Sequence, residues 1–399
     1  MAEEATLLHV AAFAILAAGL TAARIVLPLV PSGWRSQNEL PNRLVTIDSL
    51  RGYLAIAVYI HHASITWFYL QRGKWELPPS KLLANSGECA VALFFMVTGF
   101  LFWGRVLEQG KRFDWFGFFL SRMARLVPLF YTVVAVLVAS TFLLAGGYIV
   151  ESPLIFARHI VHWLLFTFSQ TSDLNGVNAT WRMIAGVQWT LTYEWLFYFV
   201  LPVAALLTLK SKNVFAASVG LCVMLIAWHL GWPDAKILAL FAGGVAGAHW
   251  VRVPQLAGLA KTSAFGVFGV FCFALTLLTD VPESIGLPVF FVAVASGNTM
   301  WGALRARAAV WLGEVSYSIY LLHGLTLWVL FSSPLFHAQW RNVSIELYVV
   351  AIILNTFVVV AIASVTCVTV EWPGIRAGRV LCKKWRDFRQ LRLQAEPVQ

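Results

Sequence analysis

Residues 47–62, with the sequence IDSLRGYLAIAVYIHH, place an aspartate, an arginine and two histidines in a segment that is otherwise mostly apolar. On a helix, residues eleven apart differ by about 20° in direction and about 16 Å in height, so Arg51 and His62 share a face. Asp48 lies one turn before Arg51, near the same face, whereas His61 points about 100° away. An imidazole can take up a proton near neutral pH, and a guanidinium can bind an anion. The spacing predicts a polar track with His62 as its chemical group and favours a structural role for His61.

A structural explanation also exists for these residues. Asp48 and Arg51 would cap the helix and reach the membrane surface, while the histidines bond to nearby backbone groups. Ionisable side chains inside a bilayer are costly and usually mark function. We therefore favour a functional role for His62 and leave Asp48 open between the two explanations.

Two further stretches place charges beside apolar runs. In RMARLVP, Arg122 and Arg125 stand one turn apart. Two guanidiniums at that spacing would hold a phosphate bidentately, although the pair also fits an ordinary cytoplasmic basic cluster. In QWTLTYEWLFYFVLP, Glu194 is expected about two turns below the outer membrane surface, where a carboxylate needs a partner and is typical of acid–base sites.

Two more stretches bring uncharged polar groups into apolar runs. In GEVSYSIYLLHG, Ser316, Tyr320 and His323 share one helical face, either as a structural hydrogen-bond network or with a direct chemical role. In VALFFMVTGF, Thr98 and Gly99 fit either a polar site or small-residue helix packing.

The composition indicates that the helices carrying these groups lie in a membrane. The 399 residues are 59% hydrophobic and 12% charged, about half the charged share of a soluble protein. We predict eleven transmembrane helices in an all-α, polytopic membrane helical bundle. They are 7–30, 50–70, 88–107, 123–148, 186–208, 213–231, 235–251, 262–279, 284–300, 310–333 and 344–370. The five cysteines are scattered, so neither a disulfide framework nor a metal site is expected.

The segment 153–169 is short and carries Arg158, His159 and His162. If it crossed the membrane, every later loop would lie on the other side. Lys and Arg are concentrated in one set of loops only if it does not cross, so we expect it on the outer surface or re-entrant. This places the N-terminus outside and the C-terminus in the cytoplasm. The tail 376–399, with seven basic and two acidic residues, either anchors this orientation or binds anionic lipid.

In order, and over about residues 43–375, these stretches resemble the acyltransferase-3 family of integral membrane acyltransferases. IDSLRG with Arg51 and His62 matches the family's opening helix, and LFFMVTGF its second element, with Thr98 for the usual serine. The remaining matches are the R-x-x-R pair with its proline, the W-S-L-x-x-E element, SYSIYLLH at 316–323 and the closing E-x-P. They contain Arg122, Arg125, Pro128, Trp189, Glu194, Ser316, Tyr320, His323 and Glu371.

Two departures accompany the resemblance. Many members carry a second acidic residue where this chain has Trp195, and the helix 7–30 precedes the family core. We expect three parts: an N-terminal helix and linker at 1–40, an acyltransferase-3-like membrane domain at 41–375, and a basic cytoplasmic tail at 376–399.

The resemblance implies transfer of an acyl group, commonly acetyl, from cytoplasmic acyl-CoA to a sugar hydroxyl in a surface glycan or its lipid-linked precursor. His62 would be the general base, with Glu194 orienting it or binding the sugar. Arg51, Arg122 and Arg125 would bind the donor phosphates, and Asp48 would fix Arg51. A supporting polar network would contain Trp189, Ser316, Tyr320, His323 and Glu371. No metal, permanent cofactor or nucleic acid is implied, and the location would be the cell (inner or plasma) membrane.

Two alternatives remain. A transporter or flippase of a lipid-linked saccharide would use the same polar track without chemistry. The membrane-bound O-acyltransferase family also uses a buried histidine, but its Asn/His pairing is not evident in this sequence.

Overall fold

The structure is a computed structural model that describes residues 2–30, 44–168, 171–209, 214–229, 231 and 234–395. Within these ranges the regular secondary structure is helical, apart from one isolated bridge between Leu174 and Val177. The predicted all-α, polytopic helical bundle is confirmed. The predicted boundary at residue 40 lies outside the described residues.

The helices of the described ranges are numbered in chain order. They are α1 (Ala2–Val26), α2 (Val45–Arg72), α3 (Lys81–Gln109), α4 (Trp115–Leu144), α5 (Pro153–Leu164), α6 (Trp189–Leu209), α7 (Val214–His229), α8 (Ala235–Trp250), α9 (Pro254–Ala260), α10 (Ser263–Leu278), α11 (Glu283–Ala295), α12 (Arg307–Glu314), α13 (Ser316–Leu327), α14 (His337–Trp340), α15 (Ile345–Thr366) and α16 (Trp372–Ala395).

Each predicted span falls on one of these helices or on a bent pair. By length and composition, five helices in the described ranges can cross a membrane, or seven if each of two bent pairs is one span. Those pairs are α8 with α9, bent by 113°, and α12 with α13, bent by 72°. Helices α10 and α11 have only 16 and 13 residues, below the roughly 20 that a straight span needs. The count of eleven therefore stays a prediction.

Helix α5 has 12 residues and so a length of about 18 Å, too short to cross a hydrocarbon core of about 30 Å. This length agrees with the expectation that the segment 153–169 does not cross.

The segment between α5 and α6 folds back into the bundle. Thr180 and Ile184 are fully buried, and a Cβ at Gly324, near the middle of α13, would collide with the backbone of Ile184 and Ala185. Helix α6 therefore begins beside α13, within the bundle.

The flanking parts of the chain pack against the same bundle. Ala22 and Ala23 of α1 are fully buried, and Gly19 packs against Ile56 of α2. The basic tail is part of α16, where the Trp385 ring lies 4.2 Å from that of Phe116 at the start of α4. Both flanking helices are thus packed against the core.

Candidate functional site

The strongest candidate for chemistry is a contact between two histidines on neighbouring helices. His62 of α2 and His323 of α13 lie 3.0 Å apart, from Nδ1 to Nε2, although 261 residues separate them in sequence. His323 is fully buried, whereas His62 is only partly buried. Of the two imidazoles, His62 is therefore the one that a substrate can reach.

Hydrogen-bond partners fix which nitrogens carry protons. The carbonyl of Ile319, 3.1 Å from His323 Nδ1, can only accept, so this Nδ1 carries a proton and Nε2 of the neutral ring has a lone pair. His62 Nδ1 therefore donates, to His323 Nε2 and to the carbonyl of Val58 at 3.1 Å. His62 Nε2 is left with a lone pair and, among the described residues, no hydrogen-bond partner. This is the arrangement of a general base oriented by a second side chain.

His61 points to a different neighbour from His62, as the separation of about 100° between adjacent helical residues predicts. Its Nδ1 bonds to the carbonyl of Leu83 at 2.9 Å, and its ring fills the space beside Gly87 of α3. The structure therefore places His61 in a packing contact between α2 and α3.

A cavity of about 710 Å³ lies between α2, α3, α4, α6 and α13, on the side of the bundle where the loops after α8 and α9 meet it. Its charged lining is mainly basic, and we call it the basic cavity. The charged residues are Arg51, Arg105, Arg122, Arg125, Arg252 and Lys261, together with Asp48, Glu108 and Glu194. The three arginines predicted to bind phosphate thus line one cavity.

Neighbouring groups hold two of these arginines in place. Asp48 lies 3.9 Å from Arg51 one turn away, which fits its expected role of fixing that guanidinium. The Arg122 guanidinium lies 4.8 Å from the centre of the Phe102 ring, and its buried Nε has no hydrogen-bond partner among the described residues. A buried guanidinium with an unused donor is well suited to an anionic ligand.

Glu194 was expected either to orient His62 or to bind the sugar, and among the described residues the structure shows no hydrogen bond between Glu194 and His62. Glu194 accepts a hydrogen bond from Tyr198 and lines the basic cavity, while His62 bonds to Val58 and His323. Because α6 begins beside α13, where Thr190 bonds to Tyr320, Glu194 faces the basic cavity. It is on the same side as the arginines, and the orienting partner of His62 is His323.

The other expected members of the polar network do not form one network. Tyr320 bonds to Thr190 at 2.8 Å, while Ser316 bonds to the carbonyl of Gly313 at 2.8 Å, and both line the cavity. Glu371 is buried and accepts a hydrogen bond from Ser318.

Trp189 is 39% exposed and packs against aromatic rings, so it does not belong to the polar network.

Tyr320 links the cavity to the two histidines. Its ring lies 6.1 Å from that of His323 and 5.9 Å from that of Phe94, which also lines the cavity. The His62–His323 pair is outside the cavity lining, directly behind Tyr320. Tyr320 is therefore a cavity-lining residue that contacts the histidine pair.

Sequence reasoning missed four contributing residues. Tyr198 and Ser318 hold Glu194 and Glu371, and both lie within the polar stretches quoted above. Arg252 and Lys261 lie in turns after α8 and α9, and a one-dimensional pattern does not show which turn faces a cavity. Among the described residues, no cluster of three His, Cys, Asp or Glu side chains could hold a metal ion.

The comparisons with known proteins agree with this geometry. The chain is 27% identical over 254 residues to the exopolysaccharide production protein ExoZ of Rhizobium meliloti (strain 1021), covering 59% of this chain and 75% of that protein. No solved structure matches the chain. The family model described as an acyltransferase domain matches residues 44–365, which include the histidine pair and most of the cavity lining. The chain therefore belongs to the acyltransferase-3 family of membrane acyltransferases.

Proposed function

We propose that this protein transfers an acyl group, most simply acetyl, from cytoplasmic acyl-CoA to a hydroxyl of a sugar. The observation that carries the proposal is the basic cavity, whose polar end at Tyr320 adjoins the His62–His323 pair. The phosphate groups of CoA are the part of this donor that arginines bind best, through paired charge-assisted hydrogen bonds. Arg51, Arg122 and Arg125 would hold them.

The proposed reaction uses one base. The lone pair of His62 Nε2 removes the proton of the acceptor hydroxyl, and the hydroxyl oxygen attacks the thioester carbonyl. Collapse of the tetrahedral intermediate breaks the carbon–sulfur bond, and the proton held by His62 passes to the departing thiolate. An ester and free CoA thiol are formed. His323 stays neutral and accepts the Nδ1–H of His62, which keeps the imidazole oriented and stabilises its protonated form.

Uncharged groups would receive the middle part of the donor. His62 lies eleven residues beyond Arg51, a rise of about 16 Å along α2, and the pantetheine arm that joins the thioester to the diphosphate is extended and uncharged. Tyr320, Thr98 and Thr190 line this part of the cavity and offer hydroxyl groups to its amides. Glu194, one turn beyond Thr190, would neutralise part of the arginine charge when the cavity is empty.

The acceptor class follows from the relative. ExoZ is named for exopolysaccharide production, so we propose a surface polysaccharide or its lipid-linked precursor as the acceptor. The membrane would be the cell membrane, with the N-terminus outside and the α16 tail in the cytoplasm.

Mass spectrometry of surface glycans tests this proposal in cells. Glycans from cells that express the protein should carry an ester-linked acyl group that is absent from cells lacking the gene. Expression of the His62→Ala variant should not restore the group. Identical glycans with and without the gene would reject a glycan acceptor.

A further inference from the structure

The six basic side chains of the basic cavity form two groups that differ in exposure. Arg51, Arg122 and Arg125 are partly buried between helices, and we call them the inner group. Arg105, Arg252 and Lys261 are exposed and stand near the ends of α3, α8 and α9, and we call them the rim group. The proposed function uses only the inner group.

Arg252 is held rigidly at the rim. Its guanidinium donates to the carbonyls of Ala248 at 2.5 Å and Gly104 at 2.8 Å, and its Nη2 lies 3.1 Å from a carboxylate oxygen of Glu108. A guanidinium has five N–H donors, so these three bonds leave two for a ligand. The same bonds join α3 to α8, which makes Arg252 a structural residue as well.

Lys261 has a fixed backbone and an uncommitted ammonium group. The Asn298 side chain donates to the carbonyls of Ala260 at 3.3 Å, Lys261 at 3.5 Å and Thr262 at 3.1 Å, which holds the turn between α9 and α10. The Lys261 side chain is exposed and lines the cavity. Among the described residues its ammonium has no ion pair.

We propose that Lys261, with Arg252 beside it, binds the 3′-phosphate on the ribose of the CoA donor, while the inner group binds the diphosphate. The inference rests on the proposed function and deepens it. The donor is one chain of four parts in a fixed order: the thioester, the uncharged arm, the diphosphate and the phosphorylated ribose. The protein offers matching groups: the histidines next to Tyr320, and then, lining the cavity, uncharged hydroxyl groups, the partly buried inner group and the exposed rim group.

The chemistry of each group fits its position. Arginine forks match the adjacent oxygens of a diphosphate, whereas a lysine ammonium is a compact charge that suits a terminal phosphomonoester. Such a monoester carries about −1.5 to −2 charges at neutral pH, more than either phosphate of the diphosphate. The rim group would therefore distinguish CoA from donors that lack this phosphate.

Equilibrium binding of CoA and of 3′-dephospho-CoA to the purified protein in nanodiscs tests the inference. The wild type should bind CoA about tenfold more tightly than dephospho-CoA, the difference expected for one charge-assisted contact. Lys261→Ala should weaken CoA binding by the same factor and leave dephospho-CoA binding unchanged, whereas Lys261→Arg should retain the preference. We use Lys261 because replacing Arg252 would also break contacts between α3 and α8.

Lys236→Ala is the matched control, since Lys236 lies at the other end of α8, away from the cavity. It should change neither affinity. Equal wild-type affinities for the two compounds, or a Lys261→Ala loss that is the same for both, would overturn the inference and leave the proposed function intact. A wild type that binds neither compound would reject the CoA donor itself, and the inference with it.

Discussion

At the scale of residues, the proposed chemistry depends on the contact between His62 and His323. His62 Nδ1 and both nitrogens of His323 have hydrogen-bond partners, which leaves His62 Nε2 available as the base. In the proposed reaction His323 is then a positioning residue. The arginines line the basic cavity and the pair does not, so the proposed function gives donor binding and proton transfer to different groups of side chains.

Replacing His323 with Ala should lower kcat and leave the KM for acetyl-CoA unchanged. His323 orients the base and does not line the basic cavity, and misplacing a catalytic group by about 1 Å costs roughly a hundredfold in rate. Steady-state kinetics at varied donor concentration will measure both constants. A parallel rise in KM would show instead that His323 contributes to donor binding.

In the proposed function, Arg125 is one of the arginines that bind the donor phosphates. Because a guanidinium stays protonated at neutral pH, it cannot act as the base. Arg125→Ala should weaken acyl-CoA binding by roughly ten- to a hundredfold, and Arg125→Lys should give an intermediate loss, since lysine keeps the charge but lacks the fork. Unchanged donor affinity with a collapse of turnover at saturating donor would contradict phosphate binding by Arg125.

At the scale of elements, close helix packing shapes the walls of the basic cavity. Helices α3 and α8 approach so closely that a Cβ at Gly244 would collide with the Met96 carbonyl, and one at Gly99 with the Phe241 carbonyl. The small-residue explanation of Gly99 therefore applies, while the adjacent Thr98 faces the cavity.

Gly244→Ala should destabilise the protein by about 1–3 kcal/mol, because backbone atoms cannot move aside as a side chain can. Gly243→Ala is the matched control on the same helix, since its Cβ would meet only the Met96 side chain, at 3.5 Å or more. Both changes gain similar helix propensity, about 1 kcal/mol. Thermal unfolding midpoints in one detergent will separate them, and equal midpoints would show that this contact is not tight.

Helix periodicity predicted the elements and the faces of α2 correctly, since His61 and His62 do point to different neighbours. It could not predict that His62 meets a residue 261 positions away, because spacing along one helix carries no information about another helix. For a related reason it could not predict that Glu194 lies at the same cavity as the arginines. Hydropathy does not show that the segment before α6, including Ile184, is buried in the bundle.

At the scale of the whole molecule, contacts between loops support the predicted alternation of sides. Lys81 and Asp280, 2.5 Å apart, are separated by six predicted spans if 153–169 does not cross, and by seven if it does. Arg252 and Glu108 form an ion pair on the other side of the bundle. The number of predicted spans between them is likewise even if 153–169 does not cross and odd if it does. An even number of crossings is needed for either pair to meet, so both pairs favour a non-crossing α5.

Single cysteines in a cysteine-free background will test this topology. Cysteines at Thr171 and Ser284, both exposed, should react with an impermeant reagent from outside, and one at Arg305 only after the membrane is opened. Labelling of Thr171 only from inside would show that the segment 153–169 crosses.

The central claim is that His62 catalyses transfer from acyl-CoA, and acceptor-dependent release of free CoA thiol tests it most directly. Purified protein in nanodiscs would be mixed with acetyl-CoA and the glycan acceptor, and thiol release would be followed with time. The wild type should release thiol only with acceptor present, His62→Ala should lose about 10²–10⁴-fold in rate, and folded His61→Ala should keep most of it. Undiminished release by His62→Ala, or equal losses in both variants, would contradict the account.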